Sequence, residues 1–296
     1  MPFGDGESAV PPRSANGSGV RLSHPERCVP KKIVSADIRG QMILLGTGTS
    51  VGVPAIGCGC DVCMSPDPRN KRTRCSAIVG LPGGNLLIDT ATDLRTQLIR
   101  EGIGLVHAVL YTHEHADHIF GLDDLRLFPF YIGGPVPLYC EPRVERRIRH
   151  SFDYAFSDLP ETHSGSRPSL VFETIGSEPF TIWNTPITPI PLRHGPRSDV
   201  LGFRIGDVAY CTDTNDVPAA SLEKLRGLDT LVIDALRYTE HATHFCVDQA
   251  LEVVRELRPR RTYLTHMAHD IEYAAAKRSL PPGVEPAYDG LRIELR

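Results

Sequence analysis

From Gln41 onward the chain sets short apolar runs between Gly- and Pro-rich turns. The runs MILLG, CSAIVG, NLLID, VHAVLYT, VPLYC, ITPIPL, VLGFRI, DVAYCTD, TLVIDA and RTYLTH predict strands, each bounded by turn formers. A helical period places Val247, Ala250, Leu251, Val254 and Leu257 on one face and ends before Pro259. Further helices are predicted at Thr92 to Glu101, Asp117 to Leu127, Arg143 to Ala155 and Pro218 to Arg226. Strands occur in consecutive pairs as well as in alternation with helices, which predicts mixed sheets packed between helices rather than a doubly wound parallel sheet. Residues 1–38 mix Pro, Gly and Ser with scattered charges and show neither period. They are expected to form a disordered or loosely attached extension, with residues 39–296 forming one domain.

Composition narrows the class. Over 296 residues, 41% hydrophobic and 23% charged content are those of an ordinary globular protein and exclude a fibrous or disordered chain. No apolar run approaches the roughly 18 residues needed to cross a bilayer, so no membrane partner is expected. A net charge of -4 supplies no basic field for a phosphate backbone, which disfavours nucleic acid and leaves room for a small anionic substrate. The opening MPFGDGESAVPPRSANGSG lacks a basic segment followed by an apolar one, so the expected location is cytoplasmic. In a reducing compartment, 12 His and 8 Cys point to metal rather than to disulfides.

The strongest chemical signal is Tyr111-Thr112-His113-Glu114-His115-Ala116-Asp117-His118, directly after an apolar strand. Residues two apart in an extended turn project to one side, so His113 and His115 can share a metal, while Asp117 and His118 at the next helix face a second. Imidazole and carboxylate suit Zn, Mn or Fe, and two such ions about 3.5 to 4 Å apart activate a bridging water and clamp phosphoryl oxygens. A second cluster, Gly57-Cys58-Gly59-Cys60-Asp61-Val62-Cys63, places three thiols in six residues. With a fourth ligand these would close a tetrahedral structural zinc site, although no neighbouring residue is an obvious fourth.

The HxHxDH loop after a strand resembles the signature of the metallo-β-lactamase superfamily, and the resemblance extends over about residues 41–296. It implies an α+β, four-layer αββα sandwich and further ligands in fixed order. His194 in PLRHGP matches the third ligand beside His113 and His115. Asp213 in AYCTDT matches the carboxylate that bridges both metals, and His266 in YLTHMAHD joins Asp117 and His118. Asp89 in LLIDTA matches a buried Asp that orients the histidine loop. Together with GTGTSVGVPAIGCGCDVC, the intact loop looks like the branch that contains the phosphoribosyl 1,2-cyclic phosphate phosphodiesterase of phosphonate degradation. That branch implies a structural zinc on Cys58, Cys60 and Cys63, with His269, three residues after His266, as its fourth ligand. It also implies that His244, just before the FCVDQAL helix, reaches into the site to neutralise phosphate or protonate a leaving oxygen; His241 competes for this role.

Several other features are set aside. Gly46, Gly48 and Gly52 have GxGxxxG spacing, Pro54 follows, and no helix opens, so they are read as a tight turn rather than a nucleotide-binding loop. Arg69, Lys71, Arg72 and Arg74 are expected to be a solvated loop. Arg126 either contacts substrate or braces its helix. Cys28, Cys75, Cys140, Cys211 and Cys246 are read as small hydrophobes.

The function expected from the resemblance is metal-dependent hydrolysis of a small cyclic phosphate, with 5-phosphoribosyl 1,2-cyclic phosphate as the leading substrate. It would use two divalent ions, Zn or Mn, a metal-bridging hydroxide and one structural Zn, in a chain that resembles dimeric enzymes. Three alternatives compete. A tRNA 3′-end endonuclease carries a long arm between the third ligand and the bridging Asp, whereas only 18 residues separate His194 from Asp213. Lactone or thioester hydrolysis uses the same scaffold. A non-enzymatic role like that of pyrroloquinoline quinone biosynthesis protein B often accompanies a degraded histidine loop, which this chain does not have.

Overall fold

A computed structural model describes residues 32–157, 163, 165–196 and 198–296. Its strands are β1 (Gln41–Gly46), β2 (Ser76–Leu81), β3 (Gly84–Ile88), β4 (Ala108–Leu110), β5 (Val136–Cys140), β6 (Leu170–Thr174) and β7 (Phe180–Ile182). They continue with β8 (Thr185–Arg193), β9 (Asp199–Ile205), β10 (Val208–Cys211), β11 (Thr230–Asp234), β12 (Arg261–Thr265), β13 (Val284–Pro286) and β14 (Leu291–Glu294). They form two seven-stranded mixed sheets, ordered β14-β1-β2-β3-β4-β5-β6 and β13-β12-β11-β10-β9-β8-β7.

The layering follows from strands that are apolar on both faces. Along β1, Met42 and Leu44 join the core shared with the second sheet, while Ile43 and Leu45 face a separate cluster with Leu94, Leu98, Val144 and Ile148 of the outer helices. On the other side of the molecule, Leu225, Val247 and Ala250 pack from the helices Ala219–Leu225 and Val247–Leu257 onto the second sheet. Each fully buried aliphatic side chain contributes about 1.5–3 kcal/mol. The result is the expected helix, sheet, sheet, helix sandwich.

All ten predicted apolar runs are found as strands, and these are the ten interior strands of the two sheets. The four that the pattern does not reveal, β6, β7, β13 and β14, are the four edges. The edge strands are only three to five residues long, and β6 and β14 alternate covered with exposed positions, so none of the four holds a long apolar run. The helix expected over Asp117 to Leu127 is corrected: it divides into Ala116–Ile119 and a 3-10 turn, Leu122–Leu127. The break lies at Gly121, where a Cβ would come within 2.1 Å of the Ala91 carbonyl oxygen.

Most of the expected N-terminal extension, residues 1–31, lies outside the described residues. Its end docks on the domain: Ile38 is buried, Ala36 N–H donates to Gly102 O at 2.9 Å, and Gly104 N–H donates to Ser35 Oγ at 3.1 Å. The glycine turn after β1 is a close backbone approach, since a Cβ at Gly46 would lie 1.9 Å from the Arg74 carbonyl oxygen. The basic stretch is not a solvated loop. Arg72 is buried and donates to the carbonyls of Ala268 and Ile271, Lys71 donates to Cys63 O, Arg69 pairs with Asp67, and Arg74 pairs with Asp93. Through Lys71 and Arg72, adjacent in the chain, the cysteine loop is tied to the segment after β12. Among the described residues no helix is long and apolar enough to cross a membrane.

Candidate metal centre

Strands β10, β11 and β12 run parallel, and β8 has the same direction because two antiparallel pairings separate it from β10. Their C-terminal ends therefore open on one rim, which also receives the ends of the parallel pair β3 and β4. Every histidine and aspartate singled out as an active-site ligand leaves one of these ends or the short helix after β4.

Asp89, at the end of β3, organises the histidine loop. It accepts the Thr112 backbone N–H at 2.8 Å, the Thr112 hydroxyl at 2.7 Å and His118 Nδ1–H at 2.8 Å. The Thr112 hydroxyl, having donated its proton to Asp89, accepts His113 Nδ1–H at 2.9 Å. His194 Nδ1–H donates to the Thr243 carbonyl at 2.8 Å. In all three rings the partner at Nδ1 leaves the Nε2 lone pair free.

The free atoms converge. Ligand atoms of His113, His115, His194 and Asp213 lie within 4.8 Å of one another, and those of Asp117, His118, Asp213 and His266 do likewise. Asp213 belongs to both groups. Its Oδ1 is 3.3 Å from His118 Nε2, and its Oδ2 is 3.3 Å from His266 Nε2 and 3.9 Å from His113 Nε2. Asp89, Asp213 and His266 have φ of 62, 53 and 58°, so three site residues occupy the left-handed region. Such a backbone costs roughly 1–2 kcal/mol per non-glycine residue, and its concentration at one rim marks a functional site.

The donor set fits divalent cations on its own chemistry. His113 Nε2, His118 Nε2 and both ring nitrogens of His266 are buried without a hydrogen-bond partner, an arrangement that costs free energy unless a cation takes the one lone pair that each neutral ring offers. Burial opposes charge on all of these groups. For Asp213 the neighbouring imidazoles of His266 and His118 override it and hold the carboxyl well below its usual range. Conversely, the Asp213, Asp117 and Asp89 carboxylates hold His118 well above an ordinary imidazole, and Asp213 pushes His266 up to about 9. At His113 and His194 burial dominates and keeps the rings neutral.

His244 lies between the two groups, its ring stacked on His266 with centroids 4.5 Å apart and edge-on to His194 at 4.7 Å. Its Nδ1–H donates to Asp234 Oδ2 at 2.6 Å. His241 sits farther out, half-buried, with Nδ1 turned toward Thr243. The cleft over the site has a volume of about 570 Å³, and its walls include Ser50, Ser198, Thr243 and His244 but not His241. Arg126 donates to Ser166 O at 2.7 Å and pairs with Asp123, so it braces its own surroundings.

The three thiols of the cysteine cluster and His269 lie together. His269 Nδ1 lies 3.2, 3.3 and 3.6 Å from the sulfurs of Cys58, Cys60 and Cys63. A tetrahedral zinc with Zn–S of about 2.3 Å and Zn–N of about 2.0 Å spans an S···N edge of about 3.5 Å, so the spacing fits. The Cys63 backbone N–H at the start of the helix Asp61–Met64 lowers the Cys60 thiol to about 6, which favours the thiolate that binds metal. Cys28 lies outside the described residues; Cys75, Cys140, Cys211 and Cys246 are buried.

Sequence reasoning missed Asp234, Thr112 and the Thr243 carbonyl. For Asp234 a signal existed: TLVIDA repeats the plan of LLIDTA, an apolar strand ending in Asp, and both carboxylates take a histidine Nδ1–H.

The model of the beta-lactamase superfamily domain matches residues 84–267. A solved structure of a diphosphatase from the PhnP family is 41% identical, covers 86% of this chain and 98% of that one, and superposes with a TM-score of 0.80. Zn(2+)-bound PqqB from Methylobacterium extorquens, at 20% identity, a TM-score of 0.69 and coverage of 86% and 100%, shares the fold. An octanoyltransferase of Porphyromonas gingivalis is 37% identical over 84% of this chain and 50% of its own length. The Coenzyme PQQ synthesis protein B of Methylorubrum populi is 29% identical over 49% and 52%. The chain thus spans about half the length of these curated relatives. With its two helix-covered sheets and the ligand-bearing rim between them, the chain belongs to the beta-lactamase superfamily, has the metallo-β-lactamase fold, and within that superfamily resembles the PhnP family.

Proposed function

We propose that this chain is a metal-dependent hydrolase of a phosphodiester in a small molecule, with 5-phosphoribosyl 1,2-cyclic phosphate as the leading substrate. The observation that carries this reading is Asp213, one carboxylate shared by two groups of ligand atoms at the floor of a cleft that also presents His244. His113, His115, His194 and Asp213 would hold one divalent ion, Zn or Mn, and Asp117, His118, Asp213 and His266 a second; Cys58, Cys60, Cys63 and His269 would hold a structural zinc. The pair would supply a nucleophilic water near neutral pH and positive charge for phosphoryl oxygens.

The chain's own residues account for the rest. Asp234 accepts His244 Nδ1–H, which leaves Nε2 as the ring atom that can carry a second proton toward the cleft. As water adds to phosphorus and the ester P–O bond breaks, His244 in its protonated form gives a proton to the departing oxygen, and the proton shed by the attacking water returns through solvent to His244. Asp89 and Thr112 fix the orientation of His113 and His118 throughout.

The diphosphatase name of the 41% identical relative supports chemistry at phosphorus. The octanoyltransferase has half its length outside the match, so its name by itself does not assign acyl transfer to the matched half. Against RNA processing, the segment between His194 and Asp213 is taken up by β9 and β10 inside the second sheet. One metal-loaded preparation should be assayed against the cyclic ribose phosphate, bis(p-nitrophenyl) phosphate, a diphosphate, a lactone, an octanoyl thioester and pre-tRNA. Turnover of the phosphorus esters above all others is expected; faster cleavage of the lactone, thioester or pre-tRNA would overturn the reading.

A further inference from the structure

Two residues beyond Asp213, Asn215 links two loops that no sheet hydrogen bond joins. Its Oδ1 accepts the Gly195 backbone N–H at 2.7 Å, and its Nδ2 donates to the Ala242 carbonyl at 3.1 Å. A backbone N–H can only donate and a carbonyl can only accept, so these partners fix which end of the amide is which. The Asn215 backbone is anchored in turn, its N–H donating to Arg193 O at 2.9 Å.

Both loops carry site histidines. Gly195 follows His194, and Ala242 precedes Thr243, whose carbonyl holds the His194 ring at 2.8 Å, and then His244. The loops already touch: Gly195 has φ of +76°, and a Cβ there would lie 2.5 Å from Thr243 Cγ2. Thr214 adds two backbone links, its N–H donating to Asp234 Oδ2 at 2.8 Å and its carbonyl accepting Phe245 N–H at 2.7 Å. Segment 213–215 thus contributes a shared carboxylate, a partner for the carboxylate that orients His244, and a side-chain clamp. Only the clamp can be removed by substituting a side chain that is neither a ligand candidate nor aimed at the reacting atoms.

We propose that Asn215 is the positioning residue that sets the loop carrying His244 against the loop carrying His194, and so fixes where His244 Nε2 stands in the cleft. Its kinetic consequence rests on the function proposed above; its structural consequence does not. Because misplacing a catalytic group by a fraction of an ångström is costly, N215A should lower kcat by about tenfold or more on the cyclic ribose phosphate, with KM and metal per chain near wild type. The double variant N215A/H244A should be no slower than H244A alone, since both changes remove one contribution. N215D keeps an acceptor for Gly195 but cannot donate to Ala242, so it should keep the Gly195 amide protected and still lose kcat. Hydrogen exchange at the Gly195 and Phe245 amides should accelerate about tenfold in N215A. A wild-type kcat in N215A, or losses that multiply in the double variant, would overturn the inference. If the wild type turns over neither the cyclic phosphate nor bis(p-nitrophenyl) phosphate, it is the proposed function that fails. Exchange then decides Asn215 alone, and unchanged protection at both amides refutes it. A fully active H244A would remove the catalytic role of His244 and leave the same exchange test standing.

Discussion

At the scale of single residues, the site is built from pairs in which one group fixes the proton of another. Asp89 fixes His118 directly and His113 through the Thr112 hydroxyl, and Asp234 fixes His244. Replacing Asp89 by Asn removes the acceptor that keeps the proton on His118 Nδ1. Metal affinity should fall by about 10–100-fold, measured as metal retained per chain during dialysis against a graded chelator; unchanged retention would show that Asp89 does not tune the ligands. His244→Ala should do the opposite, sparing metal content while lowering kcat on a phosphodiester by about 100-fold or more. If turnover persists, the proton comes from His241 or from water. HxHxDH was readable as a ligand string because the spacing lies within one loop. Asp234 was not singled out: TLVIDA repeats the plan of LLIDTA, but which histidine its carboxylate serves is set by the loop that brings the His244 ring to it.

Among the elements, the ends of β8, β10, β11 and β12 and the loop after β4 do the positioning, and the cysteine loop is tied to the same rim. His269 lies three residues past His266, with Met267 buried between them, so one strand exit serves both clusters. Cys60→Ser should therefore remove one zinc per chain and lower the thermal midpoint by about 5 °C or more. Calorimetry beside metal analysis checks this. Lost activity with zinc content intact would contradict the structural assignment. The interior strands were legible because burial on both faces demands continuous apolar runs. The edge strands β6, β7, β13 and β14 were not, because their open sides face water. The helix after the histidine loop was overextended because sequence period does not register that Gly121 must pass against the Ala91 carbonyl.

For the whole molecule, the two sheets bring candidate ligands from positions as far apart as His113 and His266 to one rim, and the prediction at this scale concerns stoichiometry. Metal-loaded protein should contain about two exchangeable divalent ions beyond the structural zinc, the number a two-metal clamp needs. Chelation should abolish hydrolysis, and Mn or Zn should restore it. A preparation that takes up only one exchangeable ion, even with added Mn or Zn, would rule out the dinuclear reading. The net charge of -4 and the short span from His194 to Asp213 predict weak binding of pre-tRNA at physiological salt. A mobility-shift titration tests this, and tight, salt-sensitive binding would count against a small substrate.

By itself the sequence pattern predicted mixed sheets between helices, the ten interior strands, the HxHxDH string and the three clustered cysteines, because apolar period and short ligand spacing are local properties of a chain; the sandwich and the distant candidate ligands came from the family resemblance. Only the tertiary structure decided that Asp234 rather than a neighbour orients His244, that Arg72 is a buried fastener and that Asn215 spans two loops. Those are relations between segments far apart in the chain, and they come into being only when parallel strands deliver their ends to one rim.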